Sequence, residues 1–151
     1  MATPAAVPGF QLQMRRTFAA RRERVFDAWI TREQLDAWFC HAKPNATGQI
    51  TEFDPRPGGR YAIVVEEAEG KVFRLRGEYR EIDRPRKLTF TWFWETQPEH
   101  GETTITLEFF DLGEQTEMIL TQEHFPNVKS RDRHGDGWTR CFDSLTRFLE
   151  R

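Results

Sequence analysis

From Ala46 to His124 the chain is cut at short intervals by turn signals, and this punctuation restricts its fold more than any other feature. Turn clusters stand at Asp54-Pro55-Arg56-Pro57-Gly58-Gly59, around Gly70, at Asp83-Arg84-Pro85, at Pro98 to Gly101 and at Asp111-Leu112-Gly113. Each combines residues that bend a chain for different reasons: proline fixes φ, glycine accepts positive φ, and aspartate bonds its own backbone. Between them lie six apolar-rich segments, roughly 47–53, 60–66, 71–82, 87–95, 103–110 and 115–124. Segments of this length and spacing predict consecutive antiparallel hairpins. A further strand is predicted ahead of them, where Phe10, Leu12, Met14, Arg16 and Phe18 alternate with Gln11, Gln13, Arg15 and Thr17.

A sheet of that width has an apolar face that must be covered. The C-terminal segment supplies the cover: Trp138, Cys141, Phe142, Leu145, Phe148 and Leu149 recur at helical spacing, with Arg140, Asp143, Ser144 and Arg147 as the polar face. Gly137-Trp138 reads as the opening of this helix. Two shorter helices are predicted after the first strand. Val25, Phe26, Trp29 and Ile30 share a face in one; Thr31 and Gln34 read as a capping box that starts the other, whose apolar residues are Leu35, Trp38 and Phe39. The predicted class is α+β, a helix-grip: a seven-stranded curved antiparallel sheet, two short helices after its first strand, and a long C-terminal helix across the concave face. Residues 10–151 form one domain of ordinary size, and 1–9 a flexible segment without the features of a secretory leader.

Composition narrows the function classes. No apolar run approaches the roughly 20 residues that cross a bilayer, so no membrane is expected and the cytoplasm is the expected compartment. Net charge is −2 with both signs interspersed, which gives no positive field to gather nucleic acid. Arg15-Arg16 and Arg21-Arg22 read as solvated charges, and Cys40 and Cys141 as reduced thiols. Five Trp and thirteen Phe are the unusual entry in the composition, because such rigid apolar side chains line a ligand cavity as readily as they fill a core.

Several short motifs then appear in one order. Val25-Phe26-Asp27-Ala28-Trp29 precedes a helix ending in Trp38-Phe39; Pro57-Gly58-Gly59-Arg60-Tyr61 follows; then Gly77-Glu78-Tyr79-Arg80-Glu81-Ile82-Asp83-Arg84-Pro85, Leu88-Thr89-Phe90-Thr91-Trp92 and Gly137-Trp138. From about Phe18 to Leu149 the chain thereby resembles the activator of heat-shock-protein ATPase homologues of single-domain bacterial type, within the START-like (SRPBCC) helix-grip superfamily. The resemblance implies the fold above and an internal pocket for lipids or aromatic metabolites, and makes a homodimer an expected state. It also has departures. Relatives commonly end the last strand Leu-Thr-His-Glu-Gly-Phe, whereas here Leu120-Thr121-Gln122-Glu123-His124-Phe125 places Gln122 at the usual histidine and His124 at the usual glycine. Cys40-His41 likewise stands where relatives have glycine or proline, at a loop that borders the pocket in such folds.

Strand alternation nominates the concave face. Phe73, Leu75, Gly77 and Tyr79 share a side, as do Leu88, Phe90, Trp92 and Trp94, then Ile105, Leu107 and Phe109, then Met118, Leu120 and Gln122. Most of these would serve to pack the terminal helix. The candidate ligand-binding set is Phe73, Tyr79, Trp92, Trp94 and Gln122 from the strands, with Phe39, Trp138 and Phe142 from the helices: apolar walls with a few polar groups. No motif calls for a cofactor, and the histidines His41, His100, His124 and His134 show no paired metal-ligand spacing. Binding of a small hydrophobic or aromatic ligand is the leading expectation, with no catalytic residue assigned. The alternatives are an enzyme like the polyketide cyclases and dehydratases of the superfamily, with Gln122, His124, Tyr79 and His41 as candidates, and a protein that engages a chaperone ATPase.

Overall fold

Ten regular elements follow one another in the computed structural model, which describes residues 9–151. The flexible segment expected over 1–9 lies, Gly9 apart, outside the described residues. The order is β1 (Phe10–Phe18), α1 (Arg22–Ile30), α2 (Arg32–Phe39), β2 (Ala46–Phe53), β3 (Arg60–Glu67), β4 (Val72–Asp83), β5 (Lys87–Trp94), β6 (Thr103–Asp111), β7 (Thr116–Phe125) and α3 (Val128–Leu149). A short 3-10 turn, Pro98–His100, bridges β5 and β6. The seven strands form one antiparallel sheet in the order β1-β7-β6-β5-β4-β3-β2. Hairpins therefore run unbroken from β2 to β7, and β1 closes the far edge beside β7.

Register puts the expected residues on one face. Leu107 stands opposite both Leu88 and Leu120, and Ile105 opposite Phe90 and Gln122; all are buried. α1 packs Phe26 edge-on against Phe109 at 5.1 Å and Trp29 against Trp38 of α2 at 4.7 Å. Outside the core, Arg84 forks onto Asp27, with Nε and Nη2 each donating at 2.8 Å, and ties the β4–β5 turn to α1.

Two backbone features shape the sheet. Gly77 pairs with Tyr61, and a Cβ on Gly77 would lie 2.0 Å from the Thr91 carbonyl and 2.4 Å from the Tyr61 ring. Only glycine lets Tyr61 cross β4 so closely that its hydroxyl donates to Thr91 O at 2.5 Å. The second feature is His124, at φ +80°, where β7 carries one residue more than β1 between the pairs Leu12–Gln122 and Phe10–Phe125. This is a bulge whose left-handed residue is ordinarily glycine.

Three local expectations are corrected. α3 starts at Val128, well before Gly137, because the Asn127 side chain accepts a hydrogen bond from Ser130 N at 2.7 Å and caps the helix there. Gly135 and Gly137 are thus helix-interior glycines. Ser144 does not belong to the polar face: it is buried, and its hydroxyl donates to the Trp38 carbonyl at 2.6 Å, joining α3 to the end of α2. The capping box at Thr31 and Gln34 does not form, since Thr31 makes no side-chain cap bond and Gln34 Oε1 is buried without a protein partner. Thr31 ends α1 and begins α2 at once, its N–H donating to Asp27 O and its carbonyl accepting from Leu35 N.

Candidate functional site

α3 lies against β1, β7 and α2. Its N-terminal half faces β3, β4 and β5 across a cavity of about 240 Å³. Trp92 and Trp94 from β5, Phe73 from β4, Phe39 at the end of α2 and Trp138 on α3 form its apolar walls. The rings interlock: Trp92 sits 5.0 Å from Trp138 and 5.7 Å from Trp94, while Phe73 meets Trp94 edge-on at 6.2 Å. Gly137 completes the α3 wall, and a Cβ built on it meets nothing within 4 Å. The cavity is open there because a glycine occupies the helix position between Arg133 and Cys141 that faces it.

Five of the eight predicted ligand residues, Phe39, Phe73, Trp92, Trp94 and Trp138, line this cavity. Tyr79 instead borders a second, smaller void of about 30 Å³. Phe39 and Trp92, whose rings meet at 6.0 Å, are the partition between the two spaces. Gln122 and Phe142 reach neither. Gln122 is fully buried, donating from Nε2 to Thr103 Oγ1 and accepting from Trp138 Nε1, each at 2.8 Å, so it positions a wall residue. Phe142 packs edge-on to Phe18 at 6.4 Å, behind Trp138 at 5.9 Å.

The polar groups of the cavity are ones that sequence reasoning missed. His134 donates from Nδ1 to Ser130 O at 2.8 Å, and its Nε2 accepts from Trp94 Nε1 at 3.2 Å. Burial, above all, pushes its pKa down to about 4, with His100 and Arg133 adding to the effect, so the ring is neutral near pH 7. His100 stands edge-on to it at 5.1 Å and shares a 2.6 Å hydrogen bond between Nδ1 and Ser130 Oγ. Burial lowers the pKa of His100 as well. Lys43 and Glu67 form an ion pair at the rim, and Arg133 and Arg140 join the lining from α3. One signal could have found His134: it lies four and seven residues before Trp138 and Cys141, on their face of a helix extended backward.

Cys40 and Cys141 also line the cavity, whereas the catalytic candidates His41, His124, Tyr79 and Gln122 do not. Burial pushes the Cys40 thiol up to about 12, helped by Asp36, and burial does the same to Cys141. Both are free thiols in their protonated, weakly nucleophilic form. His41 is exposed, 3.9 Å from Asp36. Burial raises the Tyr79 phenol well above its ordinary range, so it holds its proton. Among the described residues no three His, Cys, Asp or Glu side chains converge as a metal site, and no helix is long and apolar enough to cross a membrane.

Comparison with known proteins places this geometry. Solved structures share the architecture at low identity. A crystal structure of a Chromobacterium violaceum protein superposes with TM-score 0.85 at 20% identity, covering 93% of this chain and 97% of that one. One from Rhodobacter sphaeroides gives 0.80 at 23%, covering 98% and 96%. CalU16 from Micromonospora echinospora gives 0.72 at 20%, covering 93% and 76%. Among curated proteins, the human activator of 90 kDa heat shock protein ATPase homolog 1 is 24% identical over 136 residues, and the mouse protein 26%. The match takes in 90% of this chain and 36% of those relatives, so the chain spans about a third of their length. The model of the family described as Activator of Hsp90 ATPase homolog 1-like protein matches residues 19–150, from the end of β1 to the end of α3. That span holds every element of the fold except β1, and the chain belongs to the Activator of Hsp90 ATPase homolog 1-like family.

Proposed function

We propose that the protein binds a small apolar or aromatic molecule in the cavity between β3–β5 and α3. The observation that carries this reading is the 240 Å³ space itself, walled by three tryptophans and two phenylalanines that leave it open. For scale, an apolar cavity of about 150 Å³ is enough to hold benzene. The larger volume suits two fused rings or a ring with a short chain. The walls are also held in place, Trp94 by His134 and Trp138 by Gln122, so little ordering is required when a ligand enters.

The test uses 1-naphthylamine, a neutral two-ring probe whose emission shifts to the blue in apolar surroundings, added to the wild type and to Gly137→Phe. The substitution projects a ring from a position with free space around its Cβ, and it replaces a helix-interior glycine, which on propensity alone is stabilising. A saturable shift in the wild type, lost in a Gly137→Phe protein of unchanged melting temperature, is the expected result. No saturable signal in the wild type, or an equal signal in both, overturns the proposal. Native mass spectrometry of gently purified protein would then identify what travels with it from the cell.

A second reading, an enzyme in the manner of the polyketide cyclases and dehydratases, is favoured by one observation. His100 lines the cavity, its Nδ1 is engaged by Ser130, and its Nε2 makes no hydrogen bond to the described protein, the arrangement of a positioned acid or base. Incubation with a linear poly-β-ketone thioester decides it: no cyclised product above the uncatalysed rate removes this reading and leaves the binding proposal intact.

A further inference from the structure

Resting on the binding function just proposed, we infer that the ligand is an acid: a compact aromatic body carrying one carboxylate, which is received by Arg133 and by Nε2 of His100. The apolar walls say nothing of charge, but the polar lining is one-sided. Lys43 and Glu67 neutralise each other at the rim. Arg133 and Arg140 line the same cavity and, among the described residues, neither is paired with a carboxylate, although the chain as a whole has net charge −2. In a protein so rich in surface ion pairs, two unpaired guanidiniums facing one apolar cavity leave it electropositive.

His100 supplies the second, independent feature. It is only 9% exposed, lines the cavity, and has one nitrogen committed to Ser130 and the other without a protein partner. A carboxylate needs an N–H at Nε2, and two states of the ring supply it: the neutral Nε2–H tautomer, with Ser130 Oγ donating to Nδ1, and the protonated ring, with Nδ1 donating to Ser130 Oγ. In either state it offers an N–H to an acceptor in the cavity. Arg133 precedes His134 in α3, the His134 ring stands 5.1 Å from that of His100, and all three line the cavity, so the guanidinium and the imidazole lie towards one end of the space. A carboxylate is the acceptor that satisfies both through charge-assisted hydrogen bonds. His134 cannot compete for it, because both its nitrogens are occupied. Arg140 lies two helical turns away, about 10 Å along α3, too far to share the same carboxylate.

pH adds a readout. The charged and titratable groups around His100 are Glu99 on its own turn, which favours its protonation, and Arg133 and His134 on α3, of which Arg133 opposes it. A bound carboxylate would outweigh Arg133, so binding takes up protons and tightens as pH falls from about 8 to about 5, where an aromatic carboxylate is still largely ionised.

The experiment compares 2-naphthoate with 2-naphthamide, its neutral counterpart of the same shape, by isothermal titration calorimetry at low salt. The acid is expected to bind the wild type about tenfold more tightly or better, a difference of about 1.4 kcal/mol. Arg133→Gln, an exposed helix position, is expected to bring the two affinities together, while Arg140→Gln leaves their ratio unchanged. The preference should also grow as pH falls and shrink as salt rises. If the amide binds as tightly as the acid, or Arg133→Gln leaves the preference intact, the inference is overturned while the cavity remains a binding site. If neither naphthalene binds and 1-naphthylamine also fails, the binding function falls, and this inference with it.

Discussion

Replacing Gln122 with leucine separates the ligand set read from strand alternation from the site as built. Gln122 shares the inward face of the sheet with the cavity walls, yet its amide is spent inside the protein, on Thr103 Oγ1 and Trp138 Nε1 at 2.8 Å each. Leucine keeps the volume and removes both bonds. Trp138 is 3% exposed, so its Nε1 is left buried without an acceptor, which costs about 1–3 kcal/mol. Thr103 loses less, about 0.5–1 kcal/mol, because its hydroxyl retains the Trp92 carbonyl. Leucine recovers about 1 kcal/mol by sparing an amide from burial. The net expectation is a loss of about 2 kcal/mol, which at a urea slope of about 2 kcal/mol per molar moves the midpoint down by about 1 M. Urea titration followed by tryptophan emission and by far-ultraviolet dichroism measures it. Trp138→Phe removes the donor, so the double variant should be less destabilised than the two single changes added together, with coupling of about 1 kcal/mol. A midpoint within about 0.2 M of wild type, or strictly additive losses, would refute a structural role for the amide.

The other predictions follow from single contacts. Gly77→Ala should cost about 3 kcal/mol or more in urea denaturation, because its Cβ would meet backbone at 2.0 Å and the Tyr61 ring cannot withdraw without giving up Thr91. His124→Gly should stabilise by about 1 kcal/mol by relieving a left-handed residue at the β7 bulge, seen as a higher melting temperature. His134 should make stability fall in acid. Its folded pKa of about 4 lies below the unfolded value of 6.5, so the unfolded chain binds the extra proton, and stability present above about pH 6.5 drains away as pH falls towards 4. Urea midpoints of the wild type and His134→Gln, compared at pH 7 and pH 4.5, should differ in their pH slopes; parallel slopes would remove His134 from the acid sensitivity.

The strands were legible because each has one wet and one dry face, and the turns because proline, glycine and aspartate act locally. Segment ends read from turn signals fall close to the observed β2 to β7. Legibility stopped where tertiary contact decides. The run Lys129 to Gly137 looks like a loop, with two glycines and five charges, yet Asn127 nucleates a helix through it. Ser144 reads as polar surface until Trp38 presents a carbonyl to it. The site itself shows the same division. The aromatic walls follow from period two, whereas His100 and His134, separated by 33 intervening residues, meet because both bond Ser130. No sequence period connects a 3-10 turn to a helix face.

How the five tryptophans are tied down explains what the cavity can discriminate. Trp38, Trp94 and Trp138 each donate from Nε1 to a fixed acceptor, respectively Ala28 O, His134 Nε2 and Gln122 Oε1. Trp29 and Trp92 have no protein partner for Nε1, and both border the small void beyond the main cavity. Trp94 and Trp138 are therefore rigid walls whose displacement would break a hydrogen bond, part-buried at Trp94 and fully buried at Trp138, while Trp92 and Phe39 are held by packing alone. Rigid walls reject ligands of the wrong shape, because distortion there orphans a polar group. A packed partition yields at lower cost. Ligands too long for 240 Å³ should gain room by turning Phe39 aside into the neighbouring 30 Å³ void rather than by parting Trp94 from α3. Width is thus set by the hydrogen-bonded tryptophans and length by Phe39, and Phe39→Ala should extend the range of ligands accepted in length without relaxing the limit on their breadth.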